Sequence, residues 1–221
     1  MSRDRGRQRR KPTSAAKRRQ ILVFTEGLKT EPIYLTDWYR RHRELVLVKI
    51  DPFHGAPLQL VEAACQQRTY DLREAKRRRG DPYDEYWCVF DVDQHPHLQE
   101  AIETAARCEI SVALSNPCVE LWFLLHFDNH QAPIDRHNVQ DLAAARLGCG
   151  KVLSETALSL LYDHYLDARR RAVALDVKHA GDRSPPMSNP SSSVWRLLDA
   201  IREAAAPGQQ PRCSSTDSRA I

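Results

Sequence analysis

The sequence has no apolar run long enough to cross a bilayer. Its longest apolar stretches, at residues 21–24 and around 110–114, fall far short of the roughly 20 residues that a membrane-spanning helix needs. The Arg-rich N-terminal segment also lacks the apolar part of a secretory signal. We therefore expect a cytoplasmic protein that makes no contact with a membrane.

Metal-binding cysteine motifs are absent as well. The six cysteines form no C-x-x-C pair, and none of their spacings matches a zinc finger or ribbon. Cys88 and Cys118 lie in apolar segments, as reduced core cysteines do. This pattern favours a reducing compartment.

The composition is that of an ordinary globular protein. Of the 221 residues, 42% are hydrophobic and 28% are charged. A chain of this length buries roughly 70% of its unfolded surface and needs no disulfide or metal to fold. We expect one domain, with or without an appendage.

The positive charge is concentrated at the N-terminus. The net charge is +4, but residues 1–20 hold nine basic residues and one acid, while the remainder of the chain carries −4. A basic arm attracts polyphosphate through counterion release. We interpret the arm, including Arg18 and Arg19, as a nucleic-acid contact; the alternative is a solvated leader.

The distribution of apolar, polar and charged residues divides the sequence into four segments. Residues 1–19 are expected to be a disordered basic arm and residues 206–221 a disordered tail. Residues 20–130 alternate between short apolar runs and helical periodicity, which predicts an α/β core. Residues 131–205 lack strand patterning and are predicted to be a helical C-terminal extension, with helices at 138–146, 154–179 and 191–204.

The core is predicted to be an open parallel sheet with flanking helices. Strands are expected at residues 21–24, 45–50, 86–90 and 110–114. The helices between them imply parallel pairing with right-handed crossovers. The first of these helices is expected to be capped by Thr30.

Acidic side chains follow three of the predicted strands. Glu26 ends the first strand, Asp91 and Asp93 end the third, and Glu120 lies one helical turn beyond the fourth. Ligands of open α/β sheets bind at the carboxyl ends of the strands. If strands one and three are central, these carboxylates meet in one crevice, where Mg²⁺ is the natural counterion.

Four strings of residues resemble a known family. They read TEGLKTEP at 25–32, WCVFDVD at 87–93, SNPCVELW at 115–122 and NPS at 189–191. In this order they are similar to the RloB family, whose members have a Toprim-like fold and are associated with restriction loci and phage defence. The Glu-Gly after strand one and the Asp-x-Asp after strand three also resemble the Toprim domain of topoisomerases, primases and nucleases.

The resemblance implies a nuclease that depends on Mg²⁺ or Mn²⁺ and acts in antiviral defence. Glu26 matches a general acid/base that also contributes to the metal site, and Asp91 and Asp93 match the metal-binding pair. Glu120 lies in a family motif and is carried over as a catalytic residue whose role is open. The implied partners are nucleic acid, an ATPase of the AAA or ABC type similar to RloA, and a second copy of the chain.

The sequence departs from some Toprim sites, because Gln94 and His95 stand where a third acid can follow the Asp-x-Asp. This departure leaves the number of metal ions open. His95 and His97 are interpreted as polar loop histidines, with a proton relay as the alternative. His126 and His130 have a spacing that suits zinc, although a turn between them disfavours such a site.

Several polar residues are candidates for contacts with nucleic acid. Lys29 lies just after Glu26, and Asn116 follows the fourth strand. Asn189 and Ser191 are interpreted as a helix cap whose backbone can also hold a phosphate. The basic runs at 76–79 and 169–171 are either solvated helix faces or the sides of a groove. Trp122 is either buried in the core or part of a dimer interface.

Two other functions remain open from the sequence. A Mg²⁺-dependent phosphatase shares the Asp-x-Asp, although such enzymes place their nucleophilic Asp after the first strand, where Glu26 stands. A non-catalytic nucleic-acid-binding or regulatory module would keep the acidic crevice only as structure.

Overall fold

The structure, a computed structural model, describes residues 18–92 and 95–203. Its strands are β1 (Arg19–Thr25), β2 (Val46–Ile50), β3 (Glu85–Asp91), β4 (Ser111–Asn116) and β5 (Ser191–Ser192). Its helices are α1 (Thr30–His42), α2 (Pro57–Lys76), α3 (Leu98–Arg107), α4 (Val119–Leu124), α5 (Arg136–Leu147), α6 (Glu155–Asp163), α7 (Tyr165–Gly181) and α8 (Val194–Glu203). The arm before residue 18 and the tail from residue 204 lie outside the described residues.

The strands form one mostly parallel sheet in the order β2-β1-β3-β4-β5. The first four are parallel, and β5 pairs antiparallel with β4. The expected open α/β sheet with β1 and β3 in the middle is confirmed. The central segments of both strands, residues 21–24 and 86–90, are apolar and buried, because helices cover both faces of the sheet.

Two layers of helices cover the sheet. One face packs on α2 and α3, in a core that includes Leu22, Phe90 and Ala101. The other face packs on α1 and on the C-terminal helices in a single core, which runs from Ile21 to Ile201. The C-terminal helices therefore share a core with the sheet and complete its second face.

The structure corrects the C-terminal predictions in three places. β5 was not predicted, since two serines carry no strand pattern. Its pairing with β4 is extended by Ser193, whose N–H donates to the Leu114 carbonyl and whose hydroxyl accepts from the Leu114 N–H. The single helix predicted at 154–179 is two helices, α6 and α7. The last helix begins at Val194, so neither Asn189 nor Ser191 caps it.

Two local predictions also differ. Lys29 precedes α1, and the hydroxyl of Thr30 donates a hydrogen bond to the Lys151 carbonyl instead of capping the helix. Cys88 and Cys118 are buried and free, as expected. However, Cys65 of α2 and Cys108, directly after α3, form a disulfide, which their separation of 43 residues gave no reason to predict.

Trp122 belongs to the core and does not face a dimer interface. Its side chain is fully buried in α4, and its indole N–H donates to the Tyr34 hydroxyl at 2.9 Å. No helix among residues 18–92 and 95–203 is long and apolar enough to span a membrane.

The Trp122–Tyr34 hydrogen bond links α4 to α1, and Tyr34→Phe tests it. Loss of the hydroxyl leaves a buried N–H without a partner, so we expect destabilisation of about 1–3 kcal/mol in urea unfolding. Tyr70→Phe is the matched control, since Tyr70 is exposed and its change should stay within about 0.5 kcal/mol. Equal losses in both variants would contradict this assignment.

Candidate active site

A cleft of about 470 Å³ opens at the carboxyl ends of β1 and β3. Acidic and basic side chains from both halves of the chain line it: Glu26, Lys29, Glu31, Asp91, Glu120, Arg136 and Lys151. This is the edge at which α/β sheets bind ligands. The structure thus brings together Glu26, Asp91 and Glu120, as their positions after the strands predicted.

Glu26 is held in place by three hydrogen bonds. Its own N–H donates to the Val89 carbonyl of β3 at 3.0 Å. Its carboxylate Oε2 accepts from the Asp91 N–H at 3.0 Å, and Oε1 lies 3.1 Å from Nε2 of His95. His95 is a loop residue that contacts the candidate catalytic glutamate, which favours the alternative interpretation of it as a relay or donor beside Glu26.

Glu31 is a cleft residue that the sequence analysis missed. It lies in the first turn of α1, where an acid is ordinary, but its side chain is only 7% exposed and packs against the chain at Gly27. The Gly27 N–H donates to its Oε1 at 3.1 Å, and a Cβ at position 27 would overlap the carboxylate. A glycine is needed at position 27 because any side chain there would clash with the Glu31 carboxylate.

Asp91, the last residue of β3, is the most strongly perturbed acid of the cleft. Burial raises the pKa of Asp91 well above its usual value, and the nearby Glu31, Glu26 and Glu120 carboxylates raise it further. Arg136 lowers it, with an Nη2 that donates to Oδ2 at 2.6 Å. Burial and the three carboxylates raise the pKa of Asp91 by more than Arg136 lowers it.

The pKa of Glu31 is also raised. Burial is the largest cause, and the Glu120 and Glu26 carboxylates add to it against the hydrogen bonds from backbone N–H groups. Glu120 thus acts electrostatically on both buried acids. Such clustered carboxylates with raised pKa values are characteristic of functional sites.

The cleft also contains basic side chains. Lys29 and Lys151 are exposed at its lining, and Arg136 lies against Asp91. Arg136 and Lys151 come from the C-terminal half and carry no sequence signal that relates them to Glu26. Only the packing of α5 and of the loop after it onto the sheet could have identified them.

The donor set of the cleft suits a hard divalent cation. Mg²⁺ takes oxygen ligands and commonly only one or two protein carboxylates, with waters and phosphate oxygens completing its shell. Asp91 and Glu26 present such oxygens among carboxylates whose charge is incompletely balanced. In the part of the chain that is described, no three acidic, His or Cys side chains are arranged to hold one metal ion. Asp93, the second predicted metal ligand, lies outside the described residues.

Arg18 and Arg19 do not reach this cleft. They lie at the other end of β1, roughly 20 Å away along a seven-residue strand. Arg18 donates to the Arg43 carbonyl, and Arg19 pairs with Glu85. Any contact that these arginines make with nucleic acid is therefore separate from the site.

The two asparagines predicted to bind nucleic acid have structural partners. Asn116 donates to the Met187 carbonyl at 2.7 Å. Asn189 accepts from the N–H of Ile134 and donates to its carbonyl, which ties two loops together. Ser191 is fully buried within β5. None of these three residues lines the cleft, so a contact that any of them makes with nucleic acid would lie outside it and stays a prediction.

The other candidate motifs do not contribute to the lining of the cleft. Burial lowers the pKa of His126 to about 3, and its Nδ1 lies 2.8 Å from the Trp122 carbonyl, as in a core histidine. Arg169 pairs with Asp199, and Arg171 donates to carbonyls at the end of α4. The run at 76–79 follows α2 at the amino end of the sheet, so these runs do not form one groove with the cleft.

The family model described as "RloB-like protein" matches residues 21–201. The chain belongs to the RloB-like family. The match spans the sheet, the cleft and nearly all of the C-terminal helices, so Arg136 and Lys151 lie within the family region. No curated protein matches the sequence.

The raised pKa values lead to a pH-dependent prediction for Glu31→Gln. The folded protein binds protons at Glu31 and Asp91 more tightly than the unfolded chain does, so their contribution to stability falls as pH rises above about 4. The variant keeps an oxygen for the Gly27 N–H but removes a negative charge beside Glu26, Asp91 and Glu120. We expect it to be more stable than the wild type at pH 8, with a difference that vanishes towards pH 4.

Urea unfolding in EDTA at several pH values measures this effect. Glu62→Gln is the control, because Glu62 is exposed on α2 and distant from the cleft. A wild type that is more stable than Glu31→Gln at pH 8 would show that the carboxylates of the cleft do not repel one another.

Proposed function

We propose that this chain is a metal-dependent nuclease that hydrolyses phosphodiester bonds in DNA or RNA. The observation that carries the proposal is the convergence of four carboxylates and three cations in one cleft at the carboxyl end of a parallel sheet. Acids suit a metal ion and a proton-transfer step, whereas cations suit the phosphate backbone. Reactions at phosphate esters are the common case in which an enzyme needs acidic and basic side chains in the same cleft.

Asp91 and Glu26 are the residues that would hold a divalent ion, with Asp93 as the further ligand that the family resemblance implies. The chemistry that such an ion supplies is the stabilisation of negative charge on the phosphate oxygens. The raised pKa of Asp91 fits this assignment, since a buried carboxylate among other acids gains most from a bound cation.

Glu26 is the candidate general base or acid. The Asp91 N–H and His95 fix its carboxylate at the edge of the cleft, where it can take a proton from an attacking water. His95 orients Glu26 and is a positioning residue. Glu120 contributes negative charge to the cleft, and no specific chemical role is assigned to it.

The cations bind the substrate backbone. Lys29 and Lys151 extend from opposite elements that the Thr30–Lys151 hydrogen bond holds together. Arg136 pairs with Asp91, and its side chain, which is 37% exposed, also faces the cleft where a phosphate would bind. An antiviral role with a partner ATPase belongs to the proposal on the strength of the family resemblance alone.

A non-catalytic nucleic-acid-binding module is the second candidate. The observation in its favour is the Arg136–Asp91 ion pair, which partly balances the cleft without any metal ion. In such a module the acids would be structural, and their loss would leave binding intact.

Cleavage assays separate the two candidates. Labelled single-stranded DNA, duplex DNA, RNA and tRNA are incubated with Mg²⁺ or Mn²⁺, and with EDTA. We expect cleavage by the wild type, a loss of about 10²–10⁴-fold in Glu26→Gln, and no cleavage by Asp91→Asn. Glu103→Gln, which removes an exposed acid of α3 on the opposite face of the sheet, should cleave normally.

Binding without cleavage, unchanged in Glu26→Gln and Asp91→Asn, would favour the non-catalytic module. Release of phosphate from monoesters without strand cutting would instead indicate a phosphatase.

Metal binding has a readout that does not depend on activity. A ligand at 100 times its Kd stabilises the folded state by about 2.7 kcal/mol, so Mg²⁺ or Mn²⁺ should raise the melting temperature of the wild type measurably. In Asp91→Asn most of this rise should disappear, whereas Asp163→Asn, an exposed acid at the end of α6, should keep it. The same metal-induced rise in all three proteins would place the metal elsewhere.

A further inference from the structure

A second, smaller pocket adjoins the cleft. It has a volume of about 170 Å³ and lies between α4, α5 and the loop at 148–153. Thr30, Glu120, Gln140 and Lys151 line both cavities, so the pocket lies directly beside the cleft. A group in this pocket therefore lies beside whatever occupies the carboxylate cleft.

The pocket differs from the cleft in its chemistry. Buried apolar side chains, among them Phe123, Leu147 and Leu153, form much of its lining. Gln140 and Asp141 add an amide and a carboxylate on one side. An apolar wall with a few polar groups is the usual construction of a small-molecule site, and a planar heterocycle, with its apolar faces and polar edge, matches that lining.

The size of the pocket limits its occupant. Engineered apolar cavities of about 150 Å³ bind benzene, so 170 Å³ accommodates one ring of that size and not a base pair. Gln140 can both donate and accept hydrogen bonds, as the polar edge of a base requires. A pyrimidine fits within the volume, whereas a purine would extend into the opening.

We propose that this pocket is a subsite that holds one unpaired base of the nucleic acid whose phosphate lies in the carboxylate cleft. The proposal rests on the proposed function, because it places the base next to the reacting phosphate. It also narrows the substrate class to single strands, loops or bases that leave the stack, since a base in a duplex cannot enter without unpairing.

The surroundings of the two cavities fit such a substrate. Leu28 and Val152 are 70% and 60% exposed, and each is adjacent in sequence to a lysine of the cleft. Lys29 and Lys151 can follow the backbone while these apolar side chains contact the neighbouring bases. Proteins commonly hold single strands with a charged groove and with side chains, most often aromatic, against which the bases pack; here aliphatic side chains occupy that position.

A double comparison tests the subsite by binding alone. Affinities for a single-stranded oligonucleotide and for an abasic strand of equal length are measured in EDTA at low salt, where no cleavage occurs. Ala144→Phe fills the pocket from α5, and Ala145→Phe adds the same ring at a neighbouring exposed position. Unchanged melting temperatures establish that both variants fold.

For the wild type and Ala145→Phe we expect the abasic strand to bind roughly tenfold more weakly than the normal strand. Ala144→Phe should bind the normal strand severalfold more weakly than the wild type does, and its difference in affinity between the normal and the abasic strand should be smaller than that of the wild type by the share of the one base in the pocket. The subsite would be overturned if Ala144→Phe bound the normal strand as tightly as the wild type does and lost as much affinity as the wild type for the abasic strand.

A measurement on the wild type needs no substitution. Cys149 is free, partly buried and part of the pocket lining. Its alkylation by iodoacetamide, localised by mass spectrometry, should slow severalfold in excess pyrimidine mononucleotide. An unchanged rate would overturn the proposal.

The two proposals fail in different ways. Cleavage with Mg²⁺ that persists in Ala144→Phe, together with an unchanged abasic penalty, would remove the subsite and leave the nuclease. Base-dependent binding without any cleavage would remove the nuclease and support the subsite. No binding of any strand by the wild type would overturn both.

Discussion

The repulsion among the carboxylates at the ends of β1 and β3 is the constraint around which the cleft is organised. Glu26, Glu31, Asp91 and Glu120 lie close enough to raise the pKa values of the two buried members. Folding brings them together because the strands that carry two of them are central and apolar. Backbone N–H groups and Arg136 offset part of the repulsion, and the remainder suits a bound cation.

The helices that pack on the second face of the sheet, together with the loop after α5, supply two of the three basic side chains of the cleft. The C-terminal helices share one core with α1 and β1, and this packing places α5 and the following loop over the ends of the strands. Arg136, Gln140 and Lys151 reach the cleft as a result. The same arrangement leaves the smaller pocket beside it, so the groups proposed for catalysis and for base binding depend on one packing interface.

Much of the fold and part of the site could be predicted from the sequence. Apolar runs identified β1 and β3, and the rule that ligands bind at strand ends brought Glu26, Asp91 and Glu120 together. β5 could not be found, because its two residues have no periodicity and exist as a strand only through β4. Glu31 was read as an ordinary acid of a helical first turn, since its burial against Gly27 depends on the turn before α1. Arg136 and Lys151 are joined to the site by tertiary packing alone.

The pairing of β4 with a strand from residues 191–192 has a consequence for synthesis of the chain. Domains form from the N-terminus as translation proceeds, and all four acids of the cleft precede Arg136 and Lys151 along the sequence. The ribosome therefore delivers Arg136 and Lys151 after all four carboxylates, while Lys29 emerges among them, and the edge of β4 stays open until β5 emerges. A nascent chain thus keeps this edge of the sheet unpaired until residues 191–192 have left the exit tunnel.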